Sequence, residues 1–265
     1  MGIVNLTPDS FYAGSRTGAD LALPRILAMF QEGADVVDLG ACSTRPGSPQ
    51  PTLEEEWNRL EPALKSLARE MPGSISIDTY RAEIVRRTYD TIGPFLVNDI
   101  SAGQMDTQML ETVGRLGLPY VAMHLRGTPE TMQSLTDYED VTQAVIDYFR
   151  EFSSKAEDAG IREWILDPGF GFSKTLPQNY ELLEGLDRVV KAFPQRDVLI
   201  GVSRKSMIYK KLGITPDEAM PATQVVQFAA LEKGATWLRV HDVTAAINTA
   251  RLYSTIYMSS PGAAK

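Results

Sequence analysis

VLIGVSRKS, residues 198–206, reads as a buried strand that stops abruptly: five small or aliphatic residues, then Ser203, Arg204 and Lys205, then a helix-like stretch. An apolar run cut off by polar residues and followed by helical periodicity marks one strand–helix unit of a parallel sheet. The same grammar recurs seven times. Asn5 ends the run in GIVNLTPDS (2–10), Asp38 that in VVDLGACSTRPG (36–47), Asp78 that in SISIDTY (74–80), and Asn98 with Asp99 that in FLVNDIS (95–101). His124 closes YVAMH (120–124), Asp167 interrupts WILDPGFGF (164–172), and Arg239 with His241 punctuates WLRVHD (237–242). Eight such units in 265 residues predict an α/β chain closed into one (β/α)8 TIM barrel, a single domain over 1–265. Function in that architecture gathers where the strands end, so the punctuating residues are the candidate site.

Composition narrows the partners. Hydrophobic residues make up 43% and charged residues 23%, ordinary for a globular chain. No apolar stretch approaches the roughly 20 residues needed to cross a bilayer. A net charge of −8 argues against nucleic acid or an anionic membrane as partner, because the long-range field repels polyanions. Cys42 is the single cysteine and has no partner for an internal disulfide, and no signal-peptide pattern follows Met1, so a cytoplasmic enzyme is expected. A small anion would need a local cluster of cations, which the strand ends supply in Arg45, Lys205, Arg239 and His241.

Helices are expected to stop at Gly33, Gly160 and Gly234, where EGAD, DAGI and KGAT junctions suit a left-handed residue before the next strand. Two βα connections are long, Thr7 to Gly18 and Cys42 to Thr52, and long loops on a barrel are usually functional lids. Ser259 to Lys265 is small, polar and expected to fray. The first strand begins at Gly2, which leaves the base of the barrel to side chains unless further chain precedes Met1.

Strand alternation puts Ser76 with Asp78, Ser203 with Lys205, and Arg239 with His241 on common faces. A buried Asp beside a buried cation is often only a structural ion pair, but three such pairs at strand ends favour a site. An ionised Asp78 or Asp167 accepts parallel N–H donors, which suits the guanidine-like edge of a pterin or guanine, and Asn98 adds a donor and an acceptor. DPGFGF is a tight turn whose glycines let backbone approach a ligand, and it is not a dinucleotide-binding fingerprint. Two histidines and one cysteine make a His/Cys zinc site improbable. Mg2+ is compatible with diphosphate oxygens plus Asn5, since Mg2+ needs few protein ligands when phosphates contribute.

Taken together, NLTPDSF, GACSTRPG, SIDTY, VNDIS, MHLRGTPETMQ, DPGFGF, GVSRKS and RVHDV resemble the dihydropteroate synthase family, in the same order and over essentially the whole chain. The resemblance implies a homodimeric (β/α)8 enzyme that joins 6-hydroxymethyl-7,8-dihydropterin diphosphate to p-aminobenzoate with the help of Mg2+. Carried over by position, Asp78, Asn98, Asp167 and Lys205 bind the pterin. Asn5, Thr44, Arg45, Arg239 and His241 hold the diphosphate, Asn5 also serving Mg2+. Thr44, Pro46, Phe172, Lys205 and Ser206 frame p-aminobenzoate, and Lys205, Arg45, Arg239 and His241 carry the catalysis. Two positions depart from the pattern: Ala13 stands where many relatives have Asp, and Cys42 where many have Glu, a change expected to alter only packing. A pterin-dependent methyltransferase barrel, a Schiff-base aldolase using Lys205 and a non-catalytic pterin carrier remain open alternatives.

Overall fold

A computed structural model describes residues 1–6, 19–42, 50–69 and 74–257. Eight parallel strands alternate with helices: β1 (Gly2–Asn5), β2 (Val36–Gly40), β3 (Ser74–Asp78), β4 (Leu96–Asp99), β5 (Tyr120–Met123), β6 (Trp164–Asp167), β7 (Leu199–Ile200) and β8 (Trp237–Leu238). Strands β1 to β6 pair in chain order, and β7 pairs with β8. Parallel bridges Leu166↔Val198 and Gly2↔Val240 join these two sheets at both seams, and Ile3 N–H donates to Val240 O at 2.9 Å. The ring is therefore closed, as the eight punctuated runs predict.

The helices are α1 (Ala19–Gln31), α2 (Leu53–Leu67), α3 (Ala82–Ile92), α4 (Met109–Leu116), α5 (Val141–Asp158), α6 (Leu176–Glu184), α7 (Leu186–Ala192), α8 (Ser206–Leu212), α9 (Met220–Glu232) and α10 (Val243–Tyr257). Local chemistry sets several of their ends. Thr52 and Glu55 form a reciprocal capping box at α2, and Thr175 and Gln178 do the same at α6. Gly33, Gly160 and Gly234 take φ of 104°, 76° and 97°, the left-handed stops read from the sequence. Helix and strand side chains share one apolar layer, in which Phe149, Phe152, Trp164 and Phe193 pack ring against ring.

Inside the ring a separate floor forms from Val36, Leu96, Val121 and Leu199, with Met1, Ile165 and Trp237 against them. Two residues further along the same strand faces stand Asp38, Asn98, Met123, Asp167 and Arg239. The barrel interior thus turns from apolar to charged in one step, and that step places the site. The expected face-sharing of Ser203 and Lys205 needs correction: β7 ends at Ile200 and Arg204 is left-handed (φ 53°), so both residues lie on a turn beyond the strand. A cavity of about 660 Å³ lies at the opposite mouth, lined by residues such as Pro94, Pro119, Arg162 and Trp237, away from the strand tips. No helix among the described residues is long and apolar enough to cross a membrane.

Candidate active site

Arg239 occupies the centre of the charged layer. Its Nε donates to Asp38 Oδ2 at 2.7 Å and its Nη2 to Asp78 Oδ2 at 2.8 Å. Burial alone would lower the guanidinium pKa, but Asp38 and Asp78 outweigh it and the net shift is upward. Asn98 Nδ2 donates to the same Asp38 oxygen at 3.0 Å, which leaves its amide oxygen and its second N–H to a ligand. Asp38 is fully buried, and its Oδ1 and the Ser76 hydroxyl have no hydrogen-bond partner among the described residues. The structural ion pair weighed from sequence is therefore real, yet incomplete. Burial pushes the Asp78 carboxyl up to about 7 in spite of Arg239, with Asp38 adding to the rise, and its Oδ1 takes no hydrogen bond among the described residues.

Asp167 ends β6 and is 6% exposed. Its Oδ1 accepts the Gly169 N–H at 2.8 Å, while Oδ2 accepts nothing among the described residues. Burial raises the Asp167 pKa, and the charge of Lys205 opposes the rise. The Lys205 amine donates to Phe170 O at 2.6 Å and sits 4.5 Å from the centre of the Phe172 ring. Burial pulls that amine down to about 8, Asp167 working against it. A Cβ added at Gly201 would lie 3.8 Å from both Asp167 Oδ2 and Lys205 Nζ, so the two groups face one small space over β7.

The turn carrying Lys205 is welded to the end of β8. Buried Arg204 donates to both Asp242 oxygens, at 2.8 and 2.7 Å, and to Pro216 O and Asp217 O at 3.0 and 2.6 Å. A non-glycine residue at positive φ is strained, and these bonds hold it there. Ser203 Oγ accepts the His241 N–H at 3.1 Å and lies 3.0 Å from His241 Nδ1. With Ser203 donating to Nδ1, the imidazole proton sits on Nε2. Burial first, and then Arg239, lower the His241 pKa to about 3. His241 is consequently neutral, where the sequence reading counted it among the cations.

Asn5 ends β1 with its Oδ1 3.6 Å from the place a Gly40 side chain would take, close to Asp78. Ser206 opens α8 beside Lys205. Asp78, Asn98, Asp167, Phe172, Lys205, Ser206, Arg239, His241 and Asn5 thus all lie at the strand tips or on the turns just beyond them. Thr44, Arg45 and Pro46 lie outside the described residues, as do Ala13, the Thr7 to Gly18 loop and most of the Cys42 to Thr52 loop. The C-terminal Ser259 to Lys265 lies outside them too. Cys42 is buried, its Sγ 3.8 Å from Arg81 Nη1, and burial pushes its thiol pKa upward so that it stays protonated. Sequence reading assigned no role to Asp38, although its spacing from Gly40 puts it on the inner face. Nor did it anticipate Arg204 with Asp242, or the buried contact of His124 with Lys174, which no short-range spacing announces.

Open carboxylate oxygens, an amide oxygen and an amine converging on one mouth suit a flat, N–H-rich heterocycle. The pterin-binding enzyme family model matches residues 1–241. Dihydropteroate synthase of Escherichia coli (strain K12) is 37% identical over 255 residues, 95% of this chain and 89% of the relative. Dihydropteroate synthase of Yersinia pestis, solved with a sulfonamide drug, superposes with a TM-score of 0.91 at 33% identity, covering 98% of this chain and 94% of that one. The Xanthomonas albilineans enzyme with 4-aminobenzoic acid gives 0.88 at 34%, covering 98% and 93%. With the barrel, its charged tip layer and these similarities in hand, the chain belongs to the pterin-binding enzymes, in their dihydropteroate synthase family.

Proposed function

We infer that this chain joins 6-hydroxymethyl-7,8-dihydropterin diphosphate to p-aminobenzoate, releasing diphosphate and giving 7,8-dihydropteroate, a step of folate biosynthesis. The observation that carries this reading is the open Asp167 Oδ2 facing the same space as the Lys205 amine, with Asn98 and Asp78 across the barrel. A pterin edge offers N–H donors to the carboxylates and acceptor nitrogens to the amine. Relatives that are dihydropteroate synthases take support from the methyltransferase, aldolase and carrier readings.

Asp78, Asn98, Asp167 and Lys205 hold the pterin in this reading. Asn5, Thr44, Arg45, Arg239 and His241 hold the diphosphate. Thr44, Pro46, Phe172, Lys205 and Ser206 frame p-aminobenzoate, the Phe172 ring being fixed beside the Lys205 ammonium. In the reaction the methylene C–O bond to diphosphate breaks, the aniline nitrogen forms the C–N bond, and its proton leaves to solvent. Electron donation from the pterin ring stabilises positive charge at the methylene, and the aniline is already neutral at pH 7, so no strong base is required. Lys205, Arg45, Arg239 and His241 then act by stabilising the departing charge and aligning the partners. Arg239 retains Nη1 for this, since its other donors are held by Asp38 and Asp78. His241 contributes a hydrogen bond without a charge.

Among the described residues no group of three or more His, Cys, Asp or Glu side chains could hold a metal ion. Asn5 supplies a hard amide oxygen at the tip of β1, which fits a Mg2+ ion that shares diphosphate oxygens and water. When bound there, Mg2+ would neutralise charge on the diphosphate. Homodimerisation is supported by the α9–α10 surface, where Val225 and Leu252 are 71% and 61% exposed beside Ile256 and Tyr257. The lone buried Cys42 accords with a reducing compartment, the cytoplasm. Diphosphate release from the pterin substrate, assayed with and without p-aminobenzoate, tests the function. Release that requires p-aminobenzoate is expected, and release independent of it would overturn the synthase reading.

A further inference from the structure

Lys174 has no part in the roles above, yet it is 3% exposed, and the atoms around its amine belong to the loop that carries the site. Its Nζ lies 3.0 Å from Gly169 O, 3.1 Å from Phe172 O and 2.9 Å from His124 Nδ1. An ammonium has three N–H bonds, and three neutral acceptors surround this one. It makes no contact ion pair among the described residues, and burial pulls its pKa down to about 7 against the opposing charge of Asp167.

The loop from Asp167 to Lys174 turns back on itself through three positive-φ residues, Gly169 (72°), Gly171 (83°) and Ser173 (43°). This folding aims the Gly169 and Phe172 carbonyls inward, where the Lys174 amine reaches both. The loop is also pressed onto β5: a Cβ at Gly169 would stand 2.1 Å from His124 O, and the His124 N–H donates to Asp167 O at 2.9 Å. Gly169 in turn gives its N–H to Asp167 Oδ1, the bond that leaves Oδ2 open. Two steps therefore connect the Lys174 amine to the carboxylate proposed for the pterin. One step connects it to the backbone of Phe172, proposed for p-aminobenzoate.

We propose that Lys174 is a positioning residue whose buried amine, seated on His124, locks the β6 loop in the one shape that presents the Asp167 carboxylate and the Phe172 ring together. This rests on the synthase reading. Without the amine, Phe172 O loses its donor among the described residues and Gly169 O keeps only the Phe172 N–H at 3.1 Å, and a buried carbonyl is expensive to leave unpaired. The loop would relax, and Asp167 and Phe172 would drift together while the Arg239 and His241 side of the site stays as it is.

Lys174→Met keeps much of the volume and removes the donors. Calorimetric titration of this variant with 6-hydroxymethylpterin, and separately with inorganic diphosphate, tests the proposal alongside its melting curve. Pterin affinity is expected to fall about tenfold or more, and KM for p-aminobenzoate to rise, with diphosphate affinity unchanged. A general loosening would instead weaken all three ligands alike, which would overturn the proposal, as would a folded variant that binds pterin as the parent does. If Lys174→Met does not fold, Lys174→Arg is titrated in its place. It keeps the charge but cannot put three donors at one point, and parent-like pterin affinity in it would equally overturn the proposal. A parent protein that binds no pterin would remove the synthase reading itself, a result visible before any variant is made.

Discussion

Replacing Asp167 by Asn changes one atom of the site, and the structure says which way the new side chain must face. Asp167 Oδ1 accepts the Gly169 N–H at 2.8 Å, so Asn keeps its carbonyl oxygen there and turns its NH2 to the position of Oδ2. That position is the open acceptor. A pterin edge would then meet a donor where it needs an acceptor, losing one charge-assisted hydrogen bond and leaving its own N–H unpaired. A bond to a charged group contributes about 1.5–3 kcal/mol and an unsatisfied buried donor costs about 1–3 kcal/mol more. The sum, about 2.5 kcal/mol at the lower end, weakens pterin binding roughly 70-fold. Stability should hold or rise, because burial penalises the Asp167 charge and Asn preserves the turn. Calorimetric titration with 6-hydroxymethylpterin, beside urea unfolding, reads both quantities. A folded Asp167→Asn protein with pterin affinity within about threefold of the parent would remove Asp167 from the pterin site.

Arg239→Ala strands Asp38 and Asp78, and removing one partner of a buried ion pair costs about 3–5 kcal/mol, which urea denaturation measures. The same variant should lose more affinity for the diphosphate-bearing pterin than for bare hydroxymethylpterin, and equal losses would make Arg239 purely structural. His241 has a folded pKa near 3 against 6.5 unfolded, so between these values the unfolded state binds more protons and stability rises with pH. In a pH series of melts, His241→Gln should flatten the loss of stability below pH 6.5 by up to about 1.4 kcal/mol per pH unit, and an unchanged slope would return the imidazole to a solvated state. Equilibrium dialysis should find p-aminobenzoate binding tightly only once pterin and diphosphate are present, because Thr44 and Pro46 come from the loop that Arg45 would tether to diphosphate; equal affinity for the free protein would mean a preformed pocket.

Strand and helix order could be read along the chain because each signal is local. The apolar run before Asp167 and the glycine stops at 33, 160 and 234 depend on residues only a few positions apart. Tip residues were legible for the same reason: a strand that ends in Asp, Asn or Arg places that residue at the barrel mouth whatever its neighbours are. The turn after β7 escaped this reading, since left-handed Arg204 is held by Asp242 and the 216–217 backbone rather than by any preference of its own.

By itself, then, the sequence determined the eightfold plan, the mouth at which function collects and the chemical types assembled there. Tertiary structure alone decided their states. Arg239 meets Asp38 and Asp78 across 201 and 161 residues of chain, and Lys174 meets His124 across 50. Whether a carboxylate is open, an imidazole neutral or an amine locked is set by burial and by charges brought across the closed ring, and neither quantity exists until β8 has joined β1.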